Sequence, residues 1–270
     1  MTGVVNAKSL SAVVALILAL PFPAAAQTAP AAVSAKSWVG RAAEIEAILR
    51  SAPVVRMAET PRGVTKSQRA LLAPGGPVES FTWKPLASGR SGGFRESYKT
   101  EIAAYEIDKL LQLDLVPPKV ERTLEGETGA AILWVTPTRS FADLGGPPKP
   151  PPAQRLAWNI QLIKAKIFHN LIGDIDPNLG NWLVDPAWNL ILVDHSRALT
   201  TTTKLVHEIQ RVDTGLWDRI TALDTPALTH ALGAWLTADE IQAILDRRGE
   251  MQKKIDKLVR AKGRVAVFVN

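Results

Sequence analysis

The chain has 270 residues, 46% of them hydrophobic and 21% charged, which supplies a sizeable core and excludes a disordered chain. Its formal net charge is +6, but the 32 Lys and Arg residues are scattered rather than blocked, so no basic nucleic-acid arm is present. Without cysteine there is no disulfide framework, and stability has to come from packing.

In chain order, Lys8 precedes an apolar run from Leu10 to Leu20, followed by Pro21, Pro23 and Ala24-Ala25-Ala26. A charged start, a short apolar stretch and a small-residue site predict a signal peptide over 1–26, cut after Ala26. The run is short for a membrane span, so the cleaved product is expected to be periplasmic or secreted, with no stable span. A retained anchor is the alternative. A polar lead and a helix follow over 27–52, with apolar residues at Val39, Ala42, Ala43, Ile45, Ile48 and Leu49.

Strands are predicted at Val54–Ala58, Arg69–Ala73 and Val78–Trp83, punctuated by Gly and Pro. A helix from about Ser97 to Leu113 stops before Pro117-Pro118. Lys119–Leu124 and Ala130–Val135 read as two further strands around a Gly-containing turn. Residues 53–140 are thus a mostly antiparallel sheet with one long helix. The segment 141–152 is a linker or surface loop, with five prolines between Gly145 and Pro152. Over 153–270 the pattern is mainly helical: a buried helix at Ala153–Ile172, a polar loop at Asp174–Asn181, and a hairpin of Trp182–Val184 with Leu190–Val193. Nearly everything from Lys204 to Lys262 reads as helix, the last stretch being Ala238–Lys262 with Ile241, Leu245, Ile255 and Leu258 on one stripe.

The chemistry concentrates in Gly173-Asp174-Ile175-Asp176-Pro177-Asn178-Leu179-Gly180-Asn181 and in Leu190-Ile191-Leu192-Val193-Asp194-His195-Ser196. An Asp, an Asn five positions on, and a hydrophobic strand ending in Asp suit phosphoryl transfer. One carboxylate orients the attacking hydroxyl, while an amide oxygen and a second carboxylate hold divalent cations. Lys84 ends a strand and Glu101 lies near the start of the next helix, so the Glu can aim the Lys at phosphates. Each residue also has an ordinary reading. Asp176-Pro177-Asn178 and Gly180-Asn181 are turn formers, and Asp194 caps a segment. Lys84 is then a solvated strand end, Glu101 an acid facing the helix dipole, and Glu96 a rival partner for Lys84. His169 reads as packed and His195 as structural, and His207 and His230 lack zinc-ligand spacing. Trp158, Trp217 and Trp235 read as core filling. Ser67, Ser91 and Ser196 lack a nucleophile-elbow context.

Ser97 to Tyr105 through Val116-Pro117-Pro118, with Phe168 to Asn181 and Asp194-His195, resembles the secreted four-jointed-type kinases. Phosphatidylinositol 3- and 4-kinases and bacterial persistence-toxin kinases are similar at greater distance. Ile244 to Arg248 is also similar to bacterial members. The resemblance implies a two-lobed α+β protein-kinase-like fold with a lobe at 53–140 and a helical lobe at 153–270. It further implies Lys84 on nucleotide phosphates, Glu101 as its partner, Asp176 as the base, Asn181 and Asp194 as metal ligands, and Trp134, Val135 and Thr136 as the adenine hinge. The candidate phosphate loop includes Gly63 and Thr65, although it is not Gly-rich. Pro177-Asn178 stand where the relatives often have Arg-His, and His195-Ser196 where Phe-Gly is common. The implied cofactors are ATP and Mg²⁺ or Mn²⁺, and the implied partners are a nucleotide and a hydroxyl-bearing acceptor, not nucleic acid. A catalytically inactive kinase-like binding module in the periplasm is the alternative function.

Overall fold

The computed structural model describes residues 1–3, 34–60, 67–91, 94–176 and 178–270. Residues 4–33, which hold all but the first three positions of the expected signal peptide, and 61–66, which hold Gly63 and Thr65, lie outside the described residues. Two compact units divide the chain, Met1–Ala31 and Ala32–Asn270. The described part of the first, residues 1–3, has no regular structure.

The second unit opens with helix α1 (Ala42–Ser51) and strands β1 (Arg56–Glu59), β2 (Gln68–Leu71) and β3 (Ser80–Lys84). A hairpin of β4 (Gly89–Ser91) and β5 (Phe94–Glu96) leads to helix α2 (Tyr98–Leu110). Next come β6 (Lys119–Leu124), β7 (Glu127–Leu133), β8 (Arg139–Ser140) and helix α3 (Arg155–Ile172). Strands β9 (Trp182–Val184), β10 (Leu190–Leu192) and β11 (Val212–Asp213) follow. Helices α4 (Thr214–Ala222), α5 (Thr225–Leu232), α6 (Ala238–Lys262) and α7 (Arg264–Val267) and strand β12 (Phe268–Val269) complete the unit.

Five strands form an antiparallel sheet in the order β1-β2-β3-β7-β6. Strand alternation gives its faces different jobs. Phe81 and Trp83 of β3, Val120 of β6, and Ala131 and Leu133 of β7 join the core that contains Trp38, Ile45 and Leu49 on the α1 side. Arg122 fastens α1 there by donating to the carbonyls of Leu49 and Ala52 at its C-terminal end. The other face carries Lys84 and Lys119, with Ala130 and Ile132 packed on Tyr98 and Ile102 of α2. A larger core joins Ala103, Tyr105 and Ile107 of α2 to Phe168 and Leu171 of α3 and to the helices beyond. Trp158 and Trp217 are buried in it and Trp235 packs against it, as expected of core fillers.

The α+β organisation agrees with the sequence reading, and α3, β9, β10 and α6 fall within two residues of expectation at each end. Helix α2 stops at Leu110, short of Leu113. Gln112 and Asp114 are both left-handed there (φ 49° and 52°), which turns the chain toward Pro117-Pro118.

The expectation of near-continuous helix from Lys204 is corrected. Residues 204–211 are not helical, because the buried Asn170 side chain straps them to α3. Its Oδ1 accepts the Val206 and His207 amides at 2.8 and 2.7 Å, and its Nδ2 donates to the His207 carbonyl at 2.9 Å. Helices α4, α5 and α6 then start separately at the capping side chains of Asp213, Asp224 and Thr237.

Candidate active site

Lys84 ends β3 only 3% exposed, which overturns the reading of it as a solvated strand end. Its Nζ lies 2.8 Å from Glu101 Oε1 and 2.6 Å from Asp194 Oδ1. Burial by itself would push the Lys84 pKa down. Attraction to Glu101 and Asp194 outweighs burial, and the pKa stands raised.

Glu101 sits in the first turn of α2, whose N-cap Ser97 accepts from the Lys99 amide. It is 0% exposed rather than a surface acid facing the helix dipole. Burial would raise its pKa, but the charges of Lys119 and Lys84 together hold it well below the ordinary carboxylate range. Glu96, the rival, pairs instead with Arg197 Nε at 2.7 Å.

Asp194 follows β10 with φ 59°, a left-handed conformation uncommon outside glycine. Long-range bonds hold it there. The amide of His195 donates to Glu101 Oε2 at 3.0 Å, and the amide of Ser97 donates to the Ser196 carbonyl at 3.0 Å. Ser196 Oγ also donates to Asp194 Oδ1 at 2.9 Å. The Asp194 side chain stays 41% exposed, open to a ligand on one side.

The loop between α3 and β9 begins at Gly173, left-handed at φ 61°. A Cβ there would lie 3.1 Å from the Arg247 guanidinium, which donates to the carbonyls of Leu171, Thr200 and Thr202. The loop then folds on its own side chains. Asp174 Oδ1 accepts the Asp176 amide, Asp176 Oδ1 the Asn178 amide, and Asn178 Oδ1 the Gly180 amide, at 3.1, 3.0 and 2.8 Å. Asp176, Asn178 and Gly180 are among the turn formers anticipated from sequence. Asn181 is buried, and its carbonyl accepts the Val193 amide at 3.0 Å, which brings it beside Asp194. Asp176 Oδ2 lies 3.9 Å from Arg197 Nη1, and Arg197 also feels the charge of Asp194.

Trp134, Val135 and Thr136 continue directly from β7. The Trp134 amide donates to the Ser80 carbonyl at 3.3 Å, and the Arg69 guanidinium covers the indole at 4.4 Å. Gly63 and Thr65 are outside the described residues. The fold therefore brings Lys84, Glu101 and Asp194 into direct contact, Asn181 beside them through the backbone, and Asp176 within reach of the same charge field.

Three residues went unnoticed as site components in the sequence. Lys119 is 1% exposed, with Nζ 2.5 Å from Glu101 Oε2 and 3.0 Å from His195 Nδ1. Arg197 links Glu96 to Asp176. Asp174 is buried beside His169, and burial pushes its carboxyl up to about 7.

His169, Asp174 and His195 place one ligand atom each within 4.8 Å of one another, a geometry open to a metal ion. The tautomer argues against a cation there. An ammonium only donates, so Lys119 makes His195 Nδ1 an acceptor and leaves the hydrogen on Nε2, with no lone pair to offer a cation.

No family model and no curated protein matches the chain. Solved structures do. Hydra Fam20 with sugar superposes with a TM-score of 0.65 at 17% identity, over 84% of this chain and 91% of that one. The Golgi casein kinase gives 0.64 at 14% identity, over 84% and 78%. The same kinase with Mn/ADP bound gives 0.65 at 12% identity, over 84% and 78%.

The fold is that of the Fam20 kinases. Within this kinase-like fold Lys84, Glu101 and Asp194 meet between the five-stranded sheet and the β9-β10 hairpin. No helix among the described residues is long and apolar enough to cross a membrane.

Proposed function

We propose that this chain is a kinase-like phosphotransferase that moves the γ-phosphoryl group of ATP to a hydroxyl on a protein, glycan or lipid, outside the cytoplasm. The observation that carries the reading is the placement of Lys84 Nζ between Glu101 and Asp194, at 2.8 and 2.6 Å. A strand lysine fixed by a helix carboxylate beside a strand-end aspartate is the arrangement that phosphoryl transfer uses to aim charge at polyphosphate. Likeness to a kinase solved with Mn/ADP bound supports the same cofactor class here. Export rests on the N-terminal pattern of residues 1–26.

The donor set fits a hard divalent cation. Asp194 offers a carboxylate that is 41% exposed, and the Asn181 amide nitrogen has no protein partner among the described residues, so no hydrogen bond from it keeps this amide from turning its oxygen to a cation. Asn181 and Asp194 would hold Mg²⁺ or Mn²⁺, which when bound neutralises phosphate charge. Lys84 binds the α- and β-phosphates, and Glu101 keeps it aimed. Trp134 to Thr136 would meet adenine through their backbone, and Gly63 and Thr65 belong to the segment that would cover the phosphates. Asp176 orients the acceptor hydroxyl and takes its proton as the new O–P bond forms and the bond from Pγ to the ADP oxygen breaks. Positioning and charge neutralisation do the rest.

The test is a pair of variants in a titration with ATP and Mn²⁺, read by thermal shift, beside an assay of ADP release. Asp194→Ala is expected to abolish metal-dependent nucleotide binding, and Asp176→Ala to abolish turnover while binding persists. If both variants bind nucleotide like the parent, the assignment of roles is wrong. Parent protein that binds without turnover is the inactive binding module instead.

A further inference from the structure

Glu101 carries two buried lysines where aiming one lysine at phosphates requires a single pair. Lys84 takes Oε1, and Lys119 takes Oε2 at 2.5 Å. The two lysines are not equivalent. Lys84 is shared with the partly exposed Asp194, on the open side of the site. Lys119 is sealed behind it, and its Nζ reaches Glu101 and His195 Nδ1. The His195 amide donates to the same Glu101 oxygen that Lys119 holds, and His195 is the residue after Asp194. Lys119 thus touches both the helix carboxylate and the imidazole of the residue after Asp194, and at 1% exposure it faces no open space.

We infer that Lys119 is a positioning residue, a fixed second cation that keeps Glu101 and the Asp194 corner in place while Lys84 turns to a nucleotide's phosphates. The inference rests on the functional reading above. The physical reason is one of donors. When Lys84 spends its hydrogens on phosphate oxygens, its hold on Glu101 weakens. A fully buried carboxylate left to one divided partner loses its fixed orientation. Lys119 has no competing ligand, so it maintains one oxygen of Glu101 through the cycle. A salt bridge that served stability alone would not need to bond His195, and a well-packed apolar residue would serve as well.

The experiment is a double-mutant cycle on Mn–ADP affinity, with thermal unfolding measured on every variant. Lys119→Met is expected to weaken the Kd of the folded protein about tenfold, the scale of one lost charge-assisted contact. In a Glu101→Gln background the same change is expected to add less than about twofold, because Lys119 acts through Glu101. A Lys119→Met protein that melts lower but binds Mn–ADP like the parent overturns the inference and leaves Lys119 purely structural. An effect that adds in full to that of Glu101→Gln overturns it too. Lys119→Gln, which keeps a donor and loses the charge, takes the place of a Lys119→Met protein that does not fold, and is held to the same two outcomes. If neither folds, Lys119 is a folding counter-ion and the inference fails. A parent protein that binds no Mn–ADP overturns the functional reading itself, which is a different result from a binding parent with an indifferent Lys119.

Discussion

The Lys84–Glu101–Lys119 cluster joins β3, α2 and β6 across sequence gaps of 17 and 18 residues, and reaches His195 across 94. The loop from Asp174 to Asn181, on the other side of the candidate site, closes on itself with side-chain-to-backbone bonds two residues apart. The first region is buried, and its two lysines share the one Glu101 carboxylate, so each member depends on the others. The second is partly exposed and local, so its bonds compete with water and each is worth little. An assembly built this way keeps its buried charges rigid and gives the Asp174–Asn181 loop its geometry by short-range turns.

The largest expected effect breaks the first region. Glu101→Ala leaves two buried lysines without their shared carboxylate and should cost about 3–5 kcal/mol in a urea unfolding measurement. A loss below about 1 kcal/mol would mean that the cluster is far better hydrated than its burial suggests.

Gly129→Ala attacks the same region through its backbone. A Cβ there would sit 2.4 Å from the Lys84 carbonyl oxygen and 2.6 Å from Pro85 Cα, neither of which can swing away. A cost of about 1–3 kcal/mol is expected. Unchanged stability would show that β3 and β7 approach less closely at this point.

Acid and base sharpen the comparison. Burial pushes Asp108 of α2 and Asp174 of the loop each up to about 7, outweighing the backbone amides that they accept. A carboxyl raised above its unfolded value binds its proton more tightly in the folded state. Its stabilisation is therefore full below about 4 and is lost as pH rises to about 7. Glu101 runs the other way. Held well below its ordinary value, it contributes above about 4.3 and loses that contribution as pH falls further. The melting temperature should fall between pH 4 and 7, and Asp108→Asn or Asp174→Asn should flatten that slope. A slope unchanged in both variants would refute the assignment.

The smallest effect belongs to the loop. Asn178→Ala removes the acceptor of the Gly180 amide at an exposed position and should cost only about 0.5–1 kcal/mol. A cost as large as that of Gly129→Ala would erase the contrast between the regions.

The sheet strands, α2, α3 and α6 were legible because their patterns are local: short apolar runs between Gly and Pro, the stop at Pro117-Pro118, and the stripe of Ile241, Leu245, Ile255 and Leu258. Residues 204–211 were misread because Asn170, more than thirty positions away, decides their conformation. Glu101 was preferable to Glu96 from helix position alone, and the structure pairs Glu96 with Arg197. Lys119 was passed over because a lysine opening a strand carries no mark of which face it joins.

Composition, periodicity and turn residues, on their own, determined an α+β chain with Lys84, Glu101, Asp176, Asn181 and Asp194 in a suggestive order. Those properties act over a few residues and are written in the chain. Only the tertiary structure decided that Glu101 lies between two lysines, that Asp194 is turned left-handed beside Lys84, and that Arg197 faces Asp176. Burial makes those contacts strong, and burial exists only once distant segments have packed together.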